Sequence, residues 1–231
     1  MSIKISKPLI LKTVRAGFSA ATLITLLTML GCGEDISQSN KENKTRGEMT
    51  NYKESILDAR TKLEKETADT STTRFNAEEI ARFKIKPRQY FAPDTSYIID
   101  AVFSLDTSTP VFRMPTNTDR KPKFRIYGYL KFSIHDTALK LTAYQYMEDR
   151  SDSGFLFIPF GDKTNDFTTY GGGRYLDVPL PASDKVILDF NKAYNPYCSY
   201  SDRWSCTLVP SVNMLDVSIL AGEKIYREGH H

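Results

Sequence analysis

The sequence predicts a mainly β protein of the α+β type: an antiparallel β-sandwich or open barrel preceded by one or two N-terminal helices. Three observations predict it. The apolar period is helical between Tyr52 and Leu63 and falls to two beyond Pro87. Past that proline, β-branched and aromatic residues crowd into short runs. Gly, Pro, Asn and Asp connect those runs with no long helical pattern between them, which favours antiparallel pairing.

The chain opens on a different chemistry. Lys4, Lys7, Lys12 and Arg15 precede an uncharged run from Ala16 to Leu30, and no acidic residue appears before Glu34. The run is shorter than the roughly 20 apolar residues that a spanning helix needs and suits the apolar region of a secretory signal. It ends Leu27-Thr28-Met29-Leu30-Gly31-Cys32, which resembles the lipobox of bacterial lipoproteins, with Met29 where a leucine is usual. That resemblance implies a signal peptide over 1–31, cleavage before Cys32, acylation of that cysteine and a lipid anchor to the envelope membrane. The four basic residues of the leader leave with it, so the mature chain falls from a net charge of +3 to near −1. Such a balance supplies no basic face for a nucleic-acid partner.

Of the three cysteines, Cys198 and Cys206 remain once Cys32 carries lipid. Outside the cytoplasm they are expected to form a disulfide, worth roughly 2.6 kcal/mol by loop closure. A metal pair or a reactive thiol is the alternative, but the sequence has only three histidines to complete a metal site. No metal and no cofactor is expected.

Residues 33–50 carry few large apolar side chains, Ile36 and Met49 among them, and read as a flexible tether. A helical segment over 51–84 follows. Tyr52, Ile56, Ala59 and Leu63 form one stripe. A second helix starts at Asn76, with Glu79 placed for a capping box and Phe75 and Ile80 for a hydrophobic staple. Over 85–231 the expected strands are Tyr97–Leu105, Phe124–Ile134, Ala138–Met147, Gly154–Phe160, Gly173–Val178, Lys185–Phe190 and Leu215–Leu220. His135-Asp136-Thr137 reads as a three-residue hairpin connection.

The densest run of special residues is Tyr170-Gly171-Gly172-Gly173-Arg174-Tyr175-Leu176-Asp177, followed by Leu188 to Cys198. Consecutive glycines lose much backbone entropy on folding, so a positive φ or a close approach is expected among them. These motifs closely resemble the bacterial family catalogued as domain of unknown function 1684: Thr169–Asp177, Asp189–Cys198, Cys206 and the closing Ala221-Gly222-Glu223-Lys224. Met114-Pro115-Thr116, Tyr127-Gly128 and Pro159-Phe160-Gly161-Asp162 with Thr164-Asn165 look like further family positions. The resemblance covers Phe83 to Tyr226 and implies a fold and a place for a site, with no activity attached. One departure is Val212, where members usually carry an acid.

The candidate ligand-binding set is Gly171, Gly172, Gly173, Arg174, Asp189, Asn191, Tyr194 and Asn195. Arg174 is the natural partner for Asp189, and the glycine amides with Arg174 would hold an anion. Tyr194, Tyr197, Tyr200 and Trp204 offer faces to a small molecule or glycan, or else form a satellite core around the cysteines. His135 falls in a turn, His230 and His231 end the chain, and no Gly-x-Ser-x-Gly occurs. The sequence therefore favours a non-catalytic envelope module that binds a ligand or partner. The alternative is a carboxylate-dependent envelope hydrolase drawing on Asp177, Asp189 and Glu223.

Overall fold

The computed structural model describes residues 33–148 and 154–227, with side chains from residue 46 onward. The expected signal segment and Cys32 lie outside the described residues. The chain separates into two units, residues 1–44 and 45–231, and every side-chain contact described below lies in the second. Among the described residues no helix is long and apolar enough to cross a membrane.

Helix α1 runs Gly33–Ala68, so the stretch expected to be a coil is helical and α1 starts well before Tyr52. Extending a helix already nucleated further along the chain needs no new nucleus, so the Glu and Lys residues of this stretch, good helix formers, carry α1 back to Gly33 with no apolar stripe of their own. The buried face also differs from the expected one. Ile56 is buried and Tyr52 half-buried, but Ala59 and Leu63 face solvent, while Arg60, Glu64 and Thr67 turn inward. A helix that seats on a polar surface needs polar residues on its inner face, and periodicity of apolar residues cannot reveal them.

Helix α2, Ala77–Ile85, begins as expected. The Asn76 side chain accepts the Glu79 amide N–H at 2.9 Å and Glu79 accepts the Asn76 N–H at 2.8 Å. Phe75 and Ile80 are both buried in one cluster with Phe83, Tyr200 and Tyr226. Arg203 ties Glu79 to the following domain at 2.7 Å, and that hydrogen bond lowers the carboxyl to about 2.

Seven strands follow: β1 Ile98–Leu105, β2 Phe112–Arg113, β3 Lys123–Ile134, β4 Thr137–Tyr146, β5 Phe155–Phe160, β6 Arg174–Pro179 and β7 Lys185–Asp189. All pairings are antiparallel, in the order β6-β5-β4-β3-β1-β7, with β2 also on β3. The result is a half-barrel, the open-barrel form of the expected mainly β α+β class. The long β3 shifts register between Ile126 and Gly128, a bulge of the kind that bends a strand. This lets its two halves serve different neighbours, β2 at Phe124 and β1 at Gly128–Lys131. Leu130, Leu141, Leu156, Ile158, Leu188 and Phe190 fill the concave side, each fully buried.

Two local expectations change. The β3–β4 hairpin has two loop residues, since Ile134 pairs with Thr137; His135 and Asp136 both take positive φ (46° and 62°). That mirror-image turn suits the strand twist. Leu215–Leu220 is no strand. Its alternation is real, with Leu215 and Ile219 buried, but its backbone bonds run to the 161–163 loop: Leu215 N–H to Gly161, and Val217 accepting from Lys163. The two-residue β2 was not foreseen. Asn213 was missed as well. It is fully buried, accepts the Thr142 N–H at 2.8 Å, and donates to Thr142 and Pro159 carbonyls at 2.9 and 2.7 Å. It thereby fills the gap where β4 and β5 part beyond Tyr144–Phe157.

Candidate functional site

Arg174 opens β6 with no exposed surface. Its guanidinium donates to Asp162 at 2.7 Å, to the Ile219 carbonyl at 3.0 Å and to the Ala221 carbonyl. Asp162, not Asp189, is its partner. The same Asp162 accepts the Thr164 N–H and hydroxyl and the Ile219 N–H. Gly173 supplies the turn into this position at φ +85°, where a Cβ would strike the Phe160 carbonyl and Val209. Gly171 and Gly172 are half-buried, and the Gly171 carbonyl accepts from Asn165. The glycine–arginine run is thus a brace that pins the irregular 219–223 segment against the barrel. A buried guanidinium already engaged with Asp162 and two carbonyls has no solvent-facing donor to offer an anion.

The remaining signature residues gather at the other end of that brace. Gly222, at φ +78°, lets the chain pass the Ala193 and Phe190 carbonyls, so that Glu223 enters the interior. Glu223 is 1% exposed. It accepts the Tyr200 hydroxyl at 2.6 Å and the Asn195 N–H at 3.0 Å, with Arg88 4.0 Å away. Burial pushes its carboxyl up to about 7, against the pull of those donors. Burial acts on Arg88 too, but Tyr200, Glu223 and Glu64 keep it charged. Glu64, at 2.9 Å, is its closer acid, and an arginine does not lose its proton; the group that titrates is therefore Glu223.

Asn195 continues the contact by donating to the Lys224 carbonyl at 2.8 Å. Its own carbonyl oxygen is buried without a partner, as are the Tyr90 hydroxyl and the Arg60 Nε. Asn191 brackets Asp94 through paired 2.8 Å bonds, and Asp189 accepts from the Asn191 amides at 3.1 Å. Helix α1 closes this end. The Tyr52 hydroxyl donates to Asp189 at 2.8 Å, and Arg60 donates to the Phe91 and Asn191 carbonyls at 2.9 and 3.3 Å. Desolvation raises the Tyr52 phenol and lowers Arg60.

Asp189, Asn191 and Asn195 therefore belong to one polar end of the barrel together with Glu223, Tyr90 and Arg88. Tyr194 does not join them; its hydroxyl donates to the exposed Asp177 at 2.8 Å. The other aromatics form the satellite core. Tyr200 is buried against Phe75, Phe83 and Tyr226, and Trp204 stacks on Tyr197 at 4.9 Å. Val212 is 61% exposed. Arg60, Arg88 and Tyr90 went unrecognised in the sequence, where no motif marks them. Only their inward turn sets them apart.

Cys198 and Cys206 are buried thiols here, so the expected bridge is not formed, yet they are neighbours: the Cys198 N–H donates to Cys206 Sγ at 3.2 Å. A hydrogen bond from Cys206 draws the Cys198 thiol down to about 7, and the same bond raises Cys206.

A half-barrel with two leading helices and a sealed Arg–Asp brace defines the class of protein. The chain belongs to the family described as "Protein of unknown function (DUF1684)", whose model matches residues 84–224. It is similar to an uncharacterised protein of Haloarcula marismortui solved in solution by NMR, 29% identical, with a TM-score of 0.59, covering 77% of this chain and 96% of that one. No curated protein matches.

Proposed function

We propose that the protein is a lipid-anchored envelope module that binds a small molecule, glycan or protein partner and does not turn over substrate. The anchor reading is supported by the basic leader and the Leu30-Gly31-Cys32 end of the apolar run. The binding reading is carried by one observation: the family-signature residues Asp189, Asn191, Asn195 and Glu223 gather at one barrel end, which still holds unpartnered buried polar atoms. Such atoms are costly and rare in a settled core. Glu223 and Asp189 are 1% and 8% exposed and hold protein donors, so neither presents a solvent-accessible carboxylate of the kind hydrolysis would use.

In an oxidising envelope the two neighbouring thiols close to a disulfide. They give up two protons and two electrons to a thiol-oxidising partner that carries a disulfide itself. Two measurements test the proposal. Intact mass of membrane-extracted protein should show acyl chains on an N-terminal Cys32 and a deficit of two hydrogen atoms at Cys198 and Cys206. A thermal-shift screen of envelope extracts should find shifts that Asn191→Ala abolishes. Unmodified Cys32, or shifts equal in both proteins, would overturn the corresponding half.

A further inference from the structure

The seat of Arg60 has the chemistry of a guanidinium receptor. Two backbone carbonyls, Phe91 and Asn191, accept from the two terminal nitrogens. The Tyr90 ring lies under the guanidinium carbon at 4.4 Å, the placement in which an aromatic face attracts a cation. Burial disfavours a charge there, and the Glu223 and Asp189 carboxyls oppose that cost by favouring a cation. Planar fork, ring face and acidic surroundings together suit a guanidinium better than an ammonium, whose compact charge cannot use two divergent acceptors and a stacking plane at once.

Every receptor group except Tyr52 lies within residues 84–224, the segment that defines the family. The occupant comes from α1, outside it. The fit is also incomplete. Arg60 Nε is buried with no acceptor, the Tyr90 hydroxyl is unused, and the Asn195 carbonyl oxygen beside Glu223 finds no donor. Each unmade bond weakens the in-cis occupant relative to a ligand that could make it.

We propose that this barrel end is a binding site for a guanidinium-bearing ligand, and that Arg60 of α1 occupies it in cis until the ligand displaces it. The inference deepens the binding reading above and takes from it the location of the site; it is independent of the lipid anchor. The ligand is either a small guanidine or an arginine side chain of a peptide. Both present the same fork.

The test uses the full chain, as wild type and as Arg60→Ala, with thermal unfolding as readout. The probes are agmatine, which has no peptide bond, and acetyl-arginine amide. Controls are 1,4-diaminobutane, acetyl-lysine amide and sodium chloride at equal ionic strength. At several times Kd the guanidinium probes should raise the Tm of Arg60→Ala by about 2–4 °C, with a smaller rise for wild type, whose site is filled. Adding Tyr90→Leu to Arg60→Ala should remove the rise. Should Arg60→Ala not fold, Arg60→Lys keeps the charge without the fork and should show the same selectivity. A rise with agmatine alone identifies a small guanidine, and one with acetyl-arginine amide alone a peptide. Equal rises with the amines, or equal rises in both proteins, or no rise, overturn the proposal. Any of these alongside a surviving Asn191-dependent shift in the extract screen removes the ligand class and leaves the site.

Discussion

Replacing Arg174 with alanine separates a ligand-binding arginine from a structural one. In the structure the side chain is wholly buried, 2.7 Å from a wholly buried Asp162 carboxylate, and its other bonds go to the Ile219 and Ala221 carbonyls. Removing it leaves an uncompensated charge and two unpaired carbonyls in the core. Breaking one side of such a pair costs about 3–5 kcal/mol, which for a domain of this size lowers Tm by about 6–20 °C. Urea denaturation followed by circular dichroism measures it. Because that loss is a large share of a typical domain's stability, the milder Arg174→Lys serves as a second point, keeping the charge but losing the fork. The pair Arg174→Met with Asp162→Asn should cost less than the sum of its two single changes, since the stranded charge is gone. A loss below about 1 kcal/mol for Arg174→Ala would refute the brace and return Arg174 to the surface chemistry expected from its motif.

Two further outcomes follow from buried polar groups. Glu223 is neutral more readily folded than unfolded, with its carboxyl pushed up from 4.5 to about 7; its contribution is full below pH 4.5 and lost as pH rises through 7, about 3 kcal/mol in all. Glu223→Gln should flatten the stability profile between those limits, and an unchanged slope would place the titration elsewhere. Asn213→Ala leaves one N–H and two carbonyls unpaired at the parting of β4 and β5, a loss of about 3 kcal/mol, with faster hydrogen exchange at Thr142; an unaltered Thr142 amide would count against it.

Local order was legible in the sequence because it rests on neighbours in the chain. The α2 capping box needs only Asn76 and Glu79, and six strands follow from period-two alternation within single runs. The class of the fold and the family, which rests on the spacing of residues 169–224, were legible for the same reason. Partners across the fold were not. Arg174 and Asp189 share opposite signs and nearby motifs, yet Asp162 wins because the 161–163 loop, held by the 213–219 segment, carries it to the mouth of β6. Leu215–Ile219 alternates like a strand because one side packs on the core, and alternation records burial, whatever the backbone is bonded to. The inner face of α1 was hidden for the converse reason. Its seat is polar, so Arg60 and Glu64 point inward while Leu63 does not, and only the assembled barrel end, with its carbonyls and acids already in place, decides which side of that helix is inside.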